Sequence, residues 1–126
     1  MNTPKQHQAV MPYLMLEGAQ KFTDFIKKVF DAEVTQQHQR VDQSGLLMHG
    51  EAQISGSTIM YCDAVESWGV ALSNLFIYVD NADERFHKAI EAGATTVMEL
   101  SDKDYGRTCG VKDTTGNVWW ITSLKS

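Results

Sequence analysis

The chain has 126 residues, 43% hydrophobic and 21% charged, with 11 Lys and Arg against 16 Asp and Glu for a formal net charge of −5. That length suits one domain with a self-sufficient core, and an acidic balance without a basic stripe argues against a surface that tracks nucleic-acid phosphates. No apolar stretch is long enough to span a bilayer, Met1–Val10 lacks the apolar centre of a secretory signal, and Cys62 and Cys109 stand outside any paired-cysteine motif, so free thiols in the cytoplasm are the expectation.

In chain order, the apolar run Val10–Glu17 ends at Gly18 and predicts a strand. From Ala19 the period changes to that of a helix. Phe22, Phe25, Ile26 and Val29 fall on one face, Lys21, Asp24, Lys27 and Lys28 on the other, and Asp31-Ala32 ends it. Val34 and Val41 among polar residues suggest an exposed strand that leads to a turn at Asp42–Gly45. Leu46–Ile54 and Thr58–Asp63 read as a hairpin around Ser55-Gly56-Ser57. After a connector the order returns. Leu72–Asp80 is a strand, and Asn81 or Asp83 caps a helix that carries Phe86, Ala89 and Ile90 inward and stops at Gly93. Ala94–Leu100 is the next strand, Ser101–Gly106 a polar loop, and Thr114–Asn117 the turn of a final hairpin.

The two halves overlay. Phe25, Val29 and Ala32 match Phe86, Ile90 and Gly93, and Gly50 and Gly56 match Gly110 and Gly116, at a near-constant spacing. Two βαβββ modules are expected within a single domain of residues 1–126: module one at about 9–63, a connector at 64–71, and module two at about 72–124. Strand alternation sends Leu14, Leu16, Leu75, Ile77 and Val79 to the helices. Met11, Tyr13, Met15, Asn74, Phe76 and Tyr78 go to the opposite sheet faces. Apolar residues on both faces imply that something covers the second face. The expected architecture is α+β, a curved, incompletely closed eight-stranded mixed sheet around a cavity, with the helices outside.

Four stretches in this order carry a family resemblance: PYLMLEGAQKFTDFIKKVFDAEV, HGEAQISGSTIMYCDA, IYVDNADERFHKAIEAGATTV and YGRTCGVKDTTGNVWWIT. With them the chain resembles the vicinal oxygen chelate superfamily of glyoxalases, bleomycin-resistance proteins and dioxygenases, and most of all its PhnB-like branch. The resemblance implies a symmetric homodimer, for which the connector with Trp68 offers a contact. In metal-dependent members each module supplies a His at the start of its first strand and a Glu from its last. Carried over, the histidine positions are Met11 and Asn74, and the glutamate positions are Met60 and Trp120. None is a good ligand for zinc, nickel or iron(II) in an N/O site, so neither metal nor cofactor is expected.

The leading functional expectation is a metal-free protein that binds a small apolar or aromatic molecule, with no nucleic-acid or membrane partner. Its cavity would be lined by Met11, Tyr13, Met15, Met60, Asn74, Phe76, Tyr78, Val118 and Trp120, adaptable and polarizable walls for a flat ligand. The same side chains could instead pack together and fill the space. The alternative is a metal-dependent lyase or dioxygenase built on a non-standard ligand set around His49 and Glu51. These two share a strand face with Gln53 and could act as base and orienter, or as ligands, if that face looks inward. A scaffold without a ligand is a third reading. His7 and His38 have no partner nearby in sequence, His87 lies on a charged helix face, Cys109 stands opposite His49 in the repeat, and Arg107 is a candidate anchor for an anionic group.

Overall fold

Local chemistry sets the elements, which lie within residues 2–124, the part of the chain that the computed structural model describes. They are β1 (Tyr13–Leu16), α1 (Ala19–Phe30), β2 (Glu33–Gln39), β3 (Leu47–Ile54), β4 (Ser57–Asp63), β5 (Asn74–Tyr78), α2 (Ala82–Glu91), β6 (Thr95–Lys103), β7 (Gly106–Lys112) and β8 (Val118–Ser123). The expected βαβββ order is therefore present twice. The eight strands divide into two four-stranded sheets, ordered β1-β4-β3-β2 and β5-β8-β7-β6. In each, the first strand runs parallel to the last and the remaining pairs are antiparallel, so both sheets are mixed and open. The chain divides into two compact units, Met1–Leu72 and Ser73–Ser126.

In the first unit, α1 buries the face its spacing marks. Phe22, Ile26 and Val29 are fully buried and Phe25 nearly so, with Leu14, Leu16, Ala52 and Tyr61 in the same core. Each such side chain contributes roughly 1.5–3 kcal/mol of transfer free energy. Phe22 packs against the Tyr61 ring at 4.9 Å between centroids, and the Tyr61 hydroxyl meets Thr23 Oγ1 at 2.7 Å, which pins β4 to the helix. Gly18 starts α1 with φ 97 and offers no side-chain cap. Asp63 at the end of β4 takes that role, accepting from the N–H groups of Gly18 (3.1 Å) and Ala19 (2.9 Å), and also from Leu47 N–H at 2.7 Å. A carboxylate at these orphan donors also meets the positive end of the helix dipole. Ser55 and Gly56, both at positive φ, close β3 onto β4 in a two-residue turn.

The second unit repeats the plan with other residues. Asn81 caps α2 by accepting from Glu84 N–H at 3.1 Å, and Ser123 Oγ at the end of β8 accepts from Ala82 N–H at 3.1 Å. Asp113 organises the β7–β8 turn, accepting from Thr115 N–H, Asn117 N–H and the buried Trp119 indole at 2.9, 3.0 and 2.8 Å.

Several boundaries differ from the sequence expectation. β1 begins at Tyr13 rather than Val10, because Pro12 has no N–H for the ladder, although its carbonyl still accepts from Met60 N–H at 2.9 Å. β5 is shorter than Leu72–Asp80, and Val41 lies beyond β2, 96% exposed. Ile90 is 38% exposed on the rim of α2, whose buried side chains are Ala82, Phe86 and Ala89. The segment expected as a loop at Ser101–Gly106 is mostly paired strand: Ser101, Asp102 and Lys103 oppose Thr108, Arg107 and Gly106, and only Asp104 and Tyr105 turn. β6 is an edge strand, where polar side chains face water without penalty and so imitate a loop. No helix among the described residues is long and apolar enough to cross a membrane.

Candidate functional site

In each unit one sheet face packs on its helix, and the far face carries the candidate residues. Residues directly opposite in a ladder share a face, so register assigns the sheet face of His49 and Glu51. Glu51 stands opposite Met60, and Met60 opposite Tyr13. His49, Glu51 and Gln53 thus share the far face of the first sheet with Tyr13, Met15 and Met60. Met11 lies ahead of β1, half-buried.

On this face the polar groups form one chain. His49 Nε2 lies 2.7 Å from Glu51 Oε2, and His49 Nδ1 lies 3.0 Å from the Tyr13 hydroxyl. His7 Nε2 meets the other carboxylate oxygen, Oε1, at 2.6 Å. Burial alone raises the Glu51 carboxyl, but the hydrogen bonds and charges of His49 and His7 outweigh it and hold the group below its ordinary value. His7 thus finds its partner 44 residues away along the chain, whereas His38, also expected to have none nearby in sequence, meets Gln36 two residues away. The N-terminal segment lies along β3 and β4: Gln8 Nε2 donates to Thr58 O at 2.8 Å, Thr58 N–H donates to Gln8 Oε1 at 3.3 Å, and the Thr58 hydroxyl donates to Gln6 O. His7 and Glu51 are far apart in sequence, and nothing local marks the contact. Cys62, also on this face, directs its thiol to Met15 Sδ at 3.2 Å, and burial raises its pKa.

The far face of the second sheet is aromatic. Asn74, Phe76 and Tyr78 stand opposite Val118, Trp120 and Thr122. Phe76 and Tyr78 are 53% and 60% exposed and meet edge to face at 5.2 Å, and Tyr105 approaches Phe76 at 6.4 Å. Trp120 Nε1 donates to Asn74 Oδ1 at 3.1 Å. Gly110, opposite Trp120, leaves room for that ring, since a Cβ there would lie 2.6 Å from Trp120 Cζ3.

These registers correct the repeat by one residue. Met60 and Trp120 occupy equivalent places, so Gly110 is the counterpart of Glu51 and not of Gly50, because the β7–β8 turn is longer than the two-residue β3–β4 turn. Cys109 is accordingly no counterpart of His49. It pairs with Ile121 on the helix side, fully buried, and burial pushes its thiol up to about 11. A thiol held that far from ionisation is a poor nucleophile. Both cysteines are free. Arg107, a candidate anchor for an anionic group, is paired within the chain: its guanidinium donates to both Asp83 carboxylate oxygens, at 3.0 and 3.2 Å. His87 is exposed on α2, and His38 on β2 meets Gln36 at 3.3 Å.

The donor set does not fit the superfamily's divalent ion. Met11 and Met60 offer thioethers, Trp120 an N–H, and Asn74 an amide oxygen already taken by that indole. On the first face, both oxygens of Glu51 are met by imidazoles. Among the described residues no group of three or more His, Cys, Asp or Glu is arranged to hold a metal ion.

The chain is 32% identical over 123 residues to the uncharacterised Mycobacterium bovis protein Mb0911c, an alignment spanning 88% of this chain and 80% of the relative. No protein-family model matches. Among solved structures, the PhnB protein of Bacillus cereus has a TM-score of 0.76 at 21% identity, covering 93% of this chain and 100% of its own. TnmS3, an antibiotic-binding protein from Streptomyces sp. CB03234, has a TM-score of 0.71 at 17% identity over 94% and 100% of the two chains. A glyoxalase/bleomycin-resistance protein from the same organism has a TM-score of 0.67 at 16% identity over 89% and 96%.

Proposed function

The chain belongs to the family of the mycobacterial protein Mb0911c and has the fold of the vicinal oxygen chelate superfamily, and from that premise we propose that it binds a small apolar or aromatic molecule without a metal ion. One observation carries the reading: where a metal-dependent member places ligands in its second module, Trp120 and Asn74 hydrogen-bond to each other at 3.1 Å. An indole N–H cannot ligate a cation, and the amide oxygen, a weak ligand at best, already accepts from that indole. Around that pair the exposed Phe76 and Tyr78 rings offer stacking faces, which suit a planar ligand. On the far face of the first unit, taken by itself, Tyr13, Met15 and Met60 offer apolar, adaptable contact. TnmS3, which has the same fold and binds an antibiotic, supports binding over turnover.

The His49–Glu51 pair is read as part of a hydrogen-bonding relay, because His49 bridges the Glu51 carboxylate and the Tyr13 hydroxyl. We further propose that a second copy of the chain covers the connector, where Trp68, Val70 and Leu72 are 67%, 45% and 46% exposed. Sedimentation should find a dimer, and Trp68→Lys should shift it toward monomer.

A thermal-shift screen of planar aromatic compounds tests the binding reading. Hits are expected, and Trp120→Ala should weaken each by about three- to tenfold through loss of one stacking partner. A broad library without hits, or hits indifferent to Trp120→Ala, would contradict it.

A further inference from the structure

The two imidazoles on Glu51 are held in different ways. His49 stands two residues away on β3, where the ladder fixes its place. His7 comes from the irregular segment ahead of β1. Burial raises the Glu51 carboxyl, but the hydrogen bonds and charges of His49 and His7 outweigh it, so the group is ionised near neutral pH. An ionised carboxylate can only accept. Whatever the charge of its ring, His7 Nε2 therefore carries the proton that it gives to Oε1 at 2.6 Å.

Apart from His7, every described residue up to Val10 is exposed, so no buried apolar side chain holds the segment down. Its other ties to the sheet are hydrogen bonds. The Gln8 amide pairs with the Thr58 backbone through both its oxygen and its nitrogen, and Gln6 O accepts from the Thr58 hydroxyl and, at 3.5 Å, from Gln53 Nε2. Each is traded against water for a small net gain, and ordering the backbone opposes it. The carboxylate beneath has no such freedom. Its side chain is 6% exposed on β3, and without His7 its Oε1 would be short of a donor where little water reaches.

We propose that Glu51 Oε1 is a receptor for a small planar N–H donor of the imidazole class and that His7 is its built-in occupant, so that the N-terminal segment acts as a displaceable, autoinhibitory strap. His49 steadies the carboxylate from its other oxygen, and Met60 and Gln53 are the neighbours of Glu51 on that face. A tethered imidazole acts at an effective concentration on the order of millimolar, which an outside ligand must exceed by concentration or by affinity. The site lies within the first unit alone, so it stands apart from the aromatic face of the second, on which the binding reading rests.

Imidazole itself is the probe. In His7→Gly, which removes the occupant and leaves the carboxylate, added imidazole near neutral pH should raise the melting temperature saturably. Thiazole, a ring of the same size without an N–H, should not, and the double variant His7→Gly, Glu51→Gln should respond far less to imidazole. In the unaltered protein imidazole must first displace His7. Its half-effect concentration should lie at least about tenfold higher, and the 1H–15N side-chain signal of His7 should move there to that of a solvent-exposed histidine. No rise in His7→Gly, or a rise matched by thiazole or kept in full by the double variant, would overturn the receptor. A His7 signal that stays in place at about a hundredfold the concentration that half-saturates His7→Gly would make His7 a fixed part of the fold and overturn the strap.

Discussion

Opposite Met60 the first module places Glu51, and opposite Trp120 the second places Gly110. From this one position the two far faces diverge. Glu51, itself buried, gathers His7, His49 and, through His49, Tyr13 into one polar chain, and the N-terminal segment lies along it. Gly110 leaves a gap that the Trp120 ring occupies, with the exposed Phe76 and Tyr78 beside it. The helix anchors diverge in the same way. At the end of β4 Asp63 accepts three backbone N–H groups, while at the end of β8 Ser123 accepts one. A repeated frame fixes where a side chain stands, and the residue that stands there then decides the chemistry of its neighbours.

The anchors give the largest expected contrast. Asp63→Ala strands three donors and should cost about 3 kcal/mol, whereas Ser123→Ala strands one and should cost about 1 kcal/mol. Urea denaturation of the two variants measures both, and equal costs would break the comparison. Next comes Gly110→Ala, whose new Cβ must push the Trp120 ring aside. A loss of about 2 kcal/mol and a changed indole fluorescence are expected, as for other overpacked sites.

Glu51→Gln should cost about 1–2 kcal/mol at neutral pH, by removing the charge from two buried hydrogen bonds. Its pH dependence has a definite sign. The folded carboxyl is held below its ordinary value of 4.5, so the contribution is complete above that pH and is lost as pH falls through the folded value. The stability gap between the unaltered protein and Glu51→Gln should therefore narrow in acid, and a gap that widens there would contradict the assignment. The smallest effect is that of His7→Ala, under about 1 kcal/mol. Its clearer readout is faster proteolysis within the first eight residues, since other contacts of that segment remain.

Much of this frame can be read directly from residues. The helical spacing of Phe22, Phe25, Ile26 and Val29 marks α1, and the alternation of Leu14 and Leu16 with Tyr13 and Met15 assigns the faces of β1, because burial enforces periodicity. The pairing of His49 with Glu51 is legible as two residues on one strand face. The contact of His7 with Glu51 is not, since no pattern announces a partnership between an irregular terminus and a distant strand. The one-residue slip that made Cys109 look equivalent to His49 has a similar cause. Aligning glycines cannot tell a two-residue turn from a longer one, and in a strand a single residue exchanges the two faces. Ser101–Lys103 reads as loop because an edge strand needs no apolar alternation on its exposed side.

We propose that this chain uses the superfamily's frame without the metal. Metal content of the untagged full-length protein, by mass spectrometry after equilibration with zinc, nickel, iron(II) and manganese(II) and removal of free ions, tests that claim most directly. Far less than one ion of each kind per chain is expected, with no change in His49→Ala. One ion per chain, lost in His49→Ala, would contradict the account and make the His7–Glu51–His49 cluster a metal centre.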